Sequence, residues 1–147
     1  MKFSTKVRYG VRAMIELACR YDGQPVQLAS VAEHQDISAK YLHAVMQQLK
    51  VAGLVRAIRG ARGGFILTRH PSKIRLVEVV EAIDGPVRVV DCVHADCSFD
   101  RPGVCVARMV WCDVSDAIRD VLTSKTLADL ADEVKCNQEG PIGPPCP

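Results

Sequence analysis

The residues best equipped for chemistry are Cys92, Cys97 and Cys105, with His94 between the first two. Asp91, Asp96 and Asp100 stand in or beside the same stretch, which has few of the apolar residues that would make it core. Such a donor set suits an iron–sulphur cluster, a zinc ion or reversible thiol chemistry. The spacing C-x4-C-x7-C lacks the close second pair of a zinc finger. It also lacks the C-x2-C-x2-C or C-x4-C-x2-C runs of ferredoxins, so spacing alone leaves all three chemistries open. Pro102 and Gly103 favour a loop. Cys105 falls at an expected helix start, where the dipole favours its thiolate.

The chain around them has 147 residues and seven cysteines. The odd number, with no apolar run after Met1–Lys6 that would read as an export signal, argues against a disulfide framework and for metal or redox chemistry in a cytoplasmic protein. Cys19 sits in a helical apolar pattern and reads as a small buried hydrophobe. Cys136 and Cys146 lie near a polar, proline-rich end. Apolar residues make up 48% of the chain, enough for a core. No run reaches the roughly 20 residues of a membrane helix. Charge is divided unevenly. Residues 1–70 hold 11 Lys/Arg against 4 Asp/Glu, a balance of +7, and residues 71–147 hold 8 against 13, a balance of −5. The first half therefore has the balance of a surface for a polyanion.

Periodicity supplies the elements that must position these groups. Residues 4–20 read as a helix capped by Ser4, with Val7, Val11, Met14, Ile15 and Ala18 on one face. A turn at residues 21–25 leads to a short helix over 27–34. Asp36-Ile37-Ser38 breaks the pattern, and Ser38 can cap a third helix over 39–52 that Gly53 ends. Residues 54–58 and 65–67 read as strands around the glycine-rich turn 59–64. Three helices followed by a basic hairpin predict a mainly α fold with a small β-hairpin, the winged helix-turn-helix. Its third helix presents Ser38, Lys40, Tyr41 and His43 early, where a recognition helix meets base edges and phosphates. Arg59 and Arg62 at the hairpin tip can enter a minor groove.

After Pro71, a short helix through Leu76, Val79, Val80 and Ile83 stops at Asp84-Gly85-Pro86. From Cys105 to about Leu122 a longer helix carries Val106, Val110, Val114, Ala117 and Val121, with Met109, Ile118 and Leu122 beside them. That stripe is long for one edge helix and predicts a C-terminal dimerisation helix, which would pair two recognition helices on a palindromic site. Ser124 or Thr126 can cap a last helix over 126–134. The expected partition is a DNA-binding domain at 1–84, a cysteine loop at 85–104, the dimerisation helix and last helix at 105–135, and a disordered tail at 136–147.

Several motifs together resemble the winged-helix regulators of the IscR and NsrR type, a bacterial family that includes iron–sulphur-sensing repressors. They are the opening Met-Lys-Phe-Ser-Thr-Lys-Val-Arg-Tyr-Gly, Ile37-Ser38-Ala39-Lys40-Tyr41-Leu42, and Leu49-Lys50-x-x-Gly53-Leu54-Val55. The wing Arg59-Gly60-x-x-Gly63-Gly64-Phe65 and the three cysteines before a helix with Trp111 and Asp113 complete the set. The resemblance implies DNA contacts from the third helix and a wing arginine, and a homodimer through the long helix. It also implies a 2Fe–2S or 4Fe–4S cluster on Cys92, Cys97 and Cys105. Some members of the family lack the cysteines. This chain departs from the pattern at two ligand positions. Arg108 stands where the cluster-assembly regulator has a histidine, and Arg8 where nitric-oxide-sensing relatives draw a carboxylate. The fourth ligand stays open among His94, Asp91, Asp96 and a residue of a second subunit. Cys112, about 10 Å along a helix from Cys105, is expected to be packed. Arg8, Arg12 and Arg108 are candidates to surround an anionic site.

The resulting expectation is a DNA-binding repressor that senses redox, iron–sulphur or nitric-oxide status. The alternatives are a zinc or thiol sensor, or a regulator controlled by binding a metabolic enzyme. No nucleophile–base pair stands outside the cysteine stretch and no phosphate-cradling loop is present, so no enzyme is expected.

Overall fold

The computed structural model describes residues 3–90 and 106–139, with 136–139 as backbone only. Helix α1 spans Thr5–Cys19 and buries Val7, Gly10, Ala13, Met14, Leu17 and Ala18. Ser4 caps it. The hydroxyl accepts from the Val7 amide at 3.2 Å, while Ser4 itself donates to the Asp84 carboxylate through both hydroxyl (2.7 Å) and amide (3.1 Å). One serine therefore satisfies a free helix N–H and also ties residue 4 to residue 84.

Helix α2 (Leu28–His34) and helix α3 (Ala39–Val51) form the helix-turn-helix. Asp36 turns the chain between them with φ 51°. Leu42, Val45, Met46 and Leu49 of α3 are all 0% exposed, so this helix is the centre of the core. Strands β1 (Val55–Ile58) and β2 (Gly64–Leu67) pair antiparallel, Val55 opposite Leu67 and Ile58 opposite Gly64. Val26 adds a backbone pairing to β2, exchanging two 2.9 Å hydrogen bonds with Phe65. That pairing has no signature in the sequence, where residues 21–25 read only as a turn.

A single 3-10 turn at Pro71–Lys73 leads to helix α4 (Leu76–Asp84). Helix α5 (Val106–Ser124) follows, and helix α6 (Leu127–Glu139) returns to pack on α1. Leu127 and Ala131 of α6 belong to the same core cluster as α1 and α3. Thr126 caps α6: its amide and hydroxyl donate to Asp129 Oδ2 at 2.8 and 2.7 Å, and the Asp129 amide donates back to Thr126 Oγ1 at 3.2 Å.

Four sequence expectations change. Ser38 occupies the N-cap of α3, but its side chain makes no cap hydrogen bond. β2 begins at Gly64, because the Val26 backbone approaches there and a Cβ would strike its carbonyl. α6 continues to Glu139, past the expected end at 134 and into the segment read as a disordered tail. Cys19 is half-buried at the edge of the core, its sulphur 3.9 Å from the Ala131 carbonyl.

Candidate nucleic-acid interface and cysteine site

The first turn of α3 leaves Ser38, Ala39 and Lys40 exposed, because the inward positions begin at Leu42. The uncapped Ser38 hydroxyl and the Lys40 ammonium are available there to phosphates or base edges. His43 is also exposed, and the Gln47 amide nitrogen lies 3.2 Å from its Nε2, so the two side chains form one polar pair on the outer face. Tyr41 differs: it is half-buried and meets Tyr9 of α1 edge-to-face, centroids 5.8 Å apart at 87°. Packing therefore holds its ring. Gln47 was missed because its residue type alone carries no signal without the histidine one turn earlier.

Arg59 and Arg62 are both exposed at the hairpin tip. The tip needs its glycines for definite reasons. Gly60 has φ 117°, and a Cβ on Gly63 would strike the Ile58 carbonyl. The Gly63 amide donates to the Gly60 carbonyl at 2.9 Å, closing the turn. Gln27, at the N-cap of α2, donates to the Ala61 carbonyl at 3.5 Å and links wing to helix-turn-helix. α1 and α2 are joined through the carboxylate of Glu16, 90% buried as its side chain is 10% exposed. Arg20 lies 2.7 Å and His34 3.2 Å from its Oε1, and Gln35 donates to Oε2 at 3.2 Å. Reader helix and wing are thus set by polar links as well as by core packing.

Helix α5 is unlike the rest. Ser115 is its one buried residue. Val106, Val110 and Val121 are 71%, 53% and 64% exposed, Met109 is 59% exposed, and Trp111, Val114 and Ala117 are exposed as well. An amphipathic helix whose apolar side faces outward lacks the partner its pattern requires.

Cys92, Cys97, Cys105 and His94, with Asp91 and Asp96, lie outside the described residues. The donor set itself fits a soft iron–sulphur group through three thiolates. Among the described residues, no group of three or more His, Cys, Asp or Glu is placed to hold a metal ion. Cys112 is half-buried on α5, in keeping with the packed role expected for it. The Cys19 thiol is pushed up by burial, so it stays protonated and a poor nucleophile. Arg8 and Arg12 are exposed on α1, and Arg108 is partly buried on α5.

The Rrf2 model, described as an iron-dependent transcriptional regulator, matches residues 3–133. The chain belongs to the Rrf2 family. The HTH-type transcriptional regulator CymR of Bacillus subtilis is 37% identical over 139 residues, 95% of this chain and 96% of that one. Its solved structure, described as that of the global cysteine regulator, matches with TM-score 0.77 and 38% identity over 90% of this chain and 98% of that one. The HTH-type transcriptional regulator IscR of Escherichia coli O1:K1 / APEC is 34% identical over 95% of this chain and 83% of its own length. The structure of T. potens IscR matches with TM-score 0.80 and 36% identity over 96% of this chain and 93% of that one. This Rrf2-family chain is therefore a winged-helix, DNA-binding transcriptional regulator and not an enzyme. No described helix is long and apolar enough to cross a membrane.

Proposed function

We propose that this Rrf2-family regulator is a homodimeric repressor whose grip on a palindromic operator depends on an iron–sulphur group held by Cys92, Cys97 and Cys105. The carrying observation is the sequence between Val90 and Val106: three cysteines and a histidine join the winged-helix body to the helix with the exposed apolar face. The likeness to IscR and the iron-dependent description of the family support the same reading. Bound there, the group would supply a ligation and charge state that responds to iron, oxidants or nitric oxide. The protein residues do the rest. Val106, Val110, Val114, Ala117 and Val121 join two protomers. Ser38, Lys40 and His43 of each present donors to one half-site, with Tyr41 held by packing behind them. Arg59 and Arg62 reach the flanking groove. A link between loop and helix changes operator affinity by the coupling free energy, roughly 5- to 150-fold.

A second reading is favoured by the likeness to CymR. There the same cysteines would act as a zinc site or as thiols, or control would come from binding a metabolic enzyme. Anaerobic purification separates these readings. A brown protein containing iron and sulphide, whose operator affinity changes on removal of the iron, supports the cluster. A colourless protein with zinc supports the second reading. A metal-free protein whose DNA binding is unchanged by Cys92→Ala overturns both metal versions.

A further inference from the structure

Ser115 is the one fully buried polar residue among those described, 4% exposed, on a helix that otherwise buries nothing. Its hydroxyl is saturated. It accepts from the Val89 amide at 3.1 Å and donates to the Trp111 carbonyl at 2.8 Å. The second bond is an ordinary back-bond within a helix. The first is not local: it spans 26 residues and fastens the strand of chain at 87–90 to α5. Val89 stands three residues before Cys92, and Ser115 stands ten after Cys105. The bond therefore closes the cysteine stretch into a loop whose incoming end is registered against the helix with the exposed apolar face.

The remaining ties of α5 lie farther along it. Arg119 pairs with Glu81 at 3.3 Å, and Arg75 donates to the Thr123 carbonyl at 2.6 Å. Those fix the helix to α4. Only the Ser115 bond, among the described polar contacts, fixes it to the segment that leads into the cysteines. Its partner is a backbone amide, so the bond reports where the chain sits and not which side chain is there.

We infer that Ser115 is a positioning residue that couples the state of the cysteine segment to the α5 helix, through the Val89 amide. The inference rests on the proposed cofactor reading. A rearrangement between residues 91 and 105 displaces Val89 and so either keeps or releases the hydroxyl. Release leaves a buried hydroxyl acceptor without its donor, which favours a shift of the helix. Ser115→Ala removes the link while keeping a good helix former at the site. Ser115→Thr keeps the hydroxyl.

The test uses the full-length protein and a duplex recovered by the wild type from a randomised library. Affinity is measured for anaerobically iron-loaded and for metal-stripped protein. In Ser115→Ala the ratio between the two forms should fall by roughly three- to tenfold toward one. The stripped form should still dimerise and bind DNA as the wild type does, and Ser115→Thr should restore the ratio. In the stripped protein, exchange of the Val89 amide should quicken by about tenfold in Ser115→Ala. A full ratio in Ser115→Ala would overturn the coupling role. An equal loss of affinity in both forms would reduce Ser115 to a purely structural residue and overturn it as well. A wild type whose affinity is the same with and without iron would sink the cofactor reading, and this inference with it. That result is distinct, because it appears before any substitution is made.

Discussion

At the scale of single residues, the polar side chains that matter are those with two jobs. Glu78 caps α4 by accepting from the Arg75 amide at 2.9 Å and also receives Arg69 at 2.8 Å. Partial burial pushes its carboxyl up, but the Arg75 amide and the Arg69 guanidinium outweigh this, and the net position is below the usual 4.5. The folded state therefore binds this proton less readily than the unfolded chain does. Its stabilisation is complete above pH 4.5 and fades as the pH falls below that value toward the folded one. Glu78→Gln should cost about 1 kcal/mol at neutral pH, the worth of a cap with a partly exposed ion pair. Urea titration should show the gap from wild type closing at pH 3, and a gap that persists there would assign the loss to packing. This pairing was only half legible. An acidic residue in a first turn is a sequence signal, but Arg69 arrives from beyond the 3-10 turn and only the fold brings it near. Ser38 shows the reverse: a serine at an N-cap position predicts a cap, yet the hydroxyl stays unbound by the helix and faces outward.

At the scale of elements, the helices and hairpin were legible because each buries one face at its own period. The four core positions of α3 are those its spacing marks. The Val26–Phe65 pairing was not legible, since two residues exchanging backbone bonds need no side-chain pattern. The length of α6 was not legible either, because polar residues at its end permit a helix without demanding one. The stripe on α5 is the clearest case of a pattern that the single chain does not satisfy. Val110→Asp and Val121→Asp together place two carboxylates in the proposed dimer face, where unpaired burial is costly. Sedimentation should show a monomer at concentrations where the wild type is dimeric, with unchanged helix content by circular dichroism. A dimer that survives both changes would remove α5 from the interface. In the wing, Gly63→Ala should weaken DNA binding by at least about threefold, because a Cβ there strikes the Ile58 carbonyl and the tip must reopen.

At the scale of the whole molecule, charge and chemistry are separated along the chain. The basic first half carries the reader, the acidic second half carries the dimer face, and the cysteines lie between them. The site was legible as composition and not as geometry. Soft donors show in a string of letters, but the fourth donor depends on which group the fold brings within a few ångströms, and Arg8 and Arg108 occupy the positions that sequence would consult. The DNA half admits a sharper test, because phosphate contacts leave a thermodynamic mark. Each phosphate neutralised on duplex DNA adds about 0.9 to the slope of log affinity against log salt. A dimer uses each wing twice, so Arg59→Ala should lower that slope by roughly 2 if Arg59 meets phosphate, with a uniform loss across operator variants. If Arg59 instead lies in a narrow minor groove, the slope again falls, but the loss concentrates on variants that widen the groove by replacing A·T steps. Arg62→Ala separates the two arginines by the same measurement. A slope and an affinity unchanged in both variants would take the wing off the DNA and leave the exposed turn of α3 to bind alone.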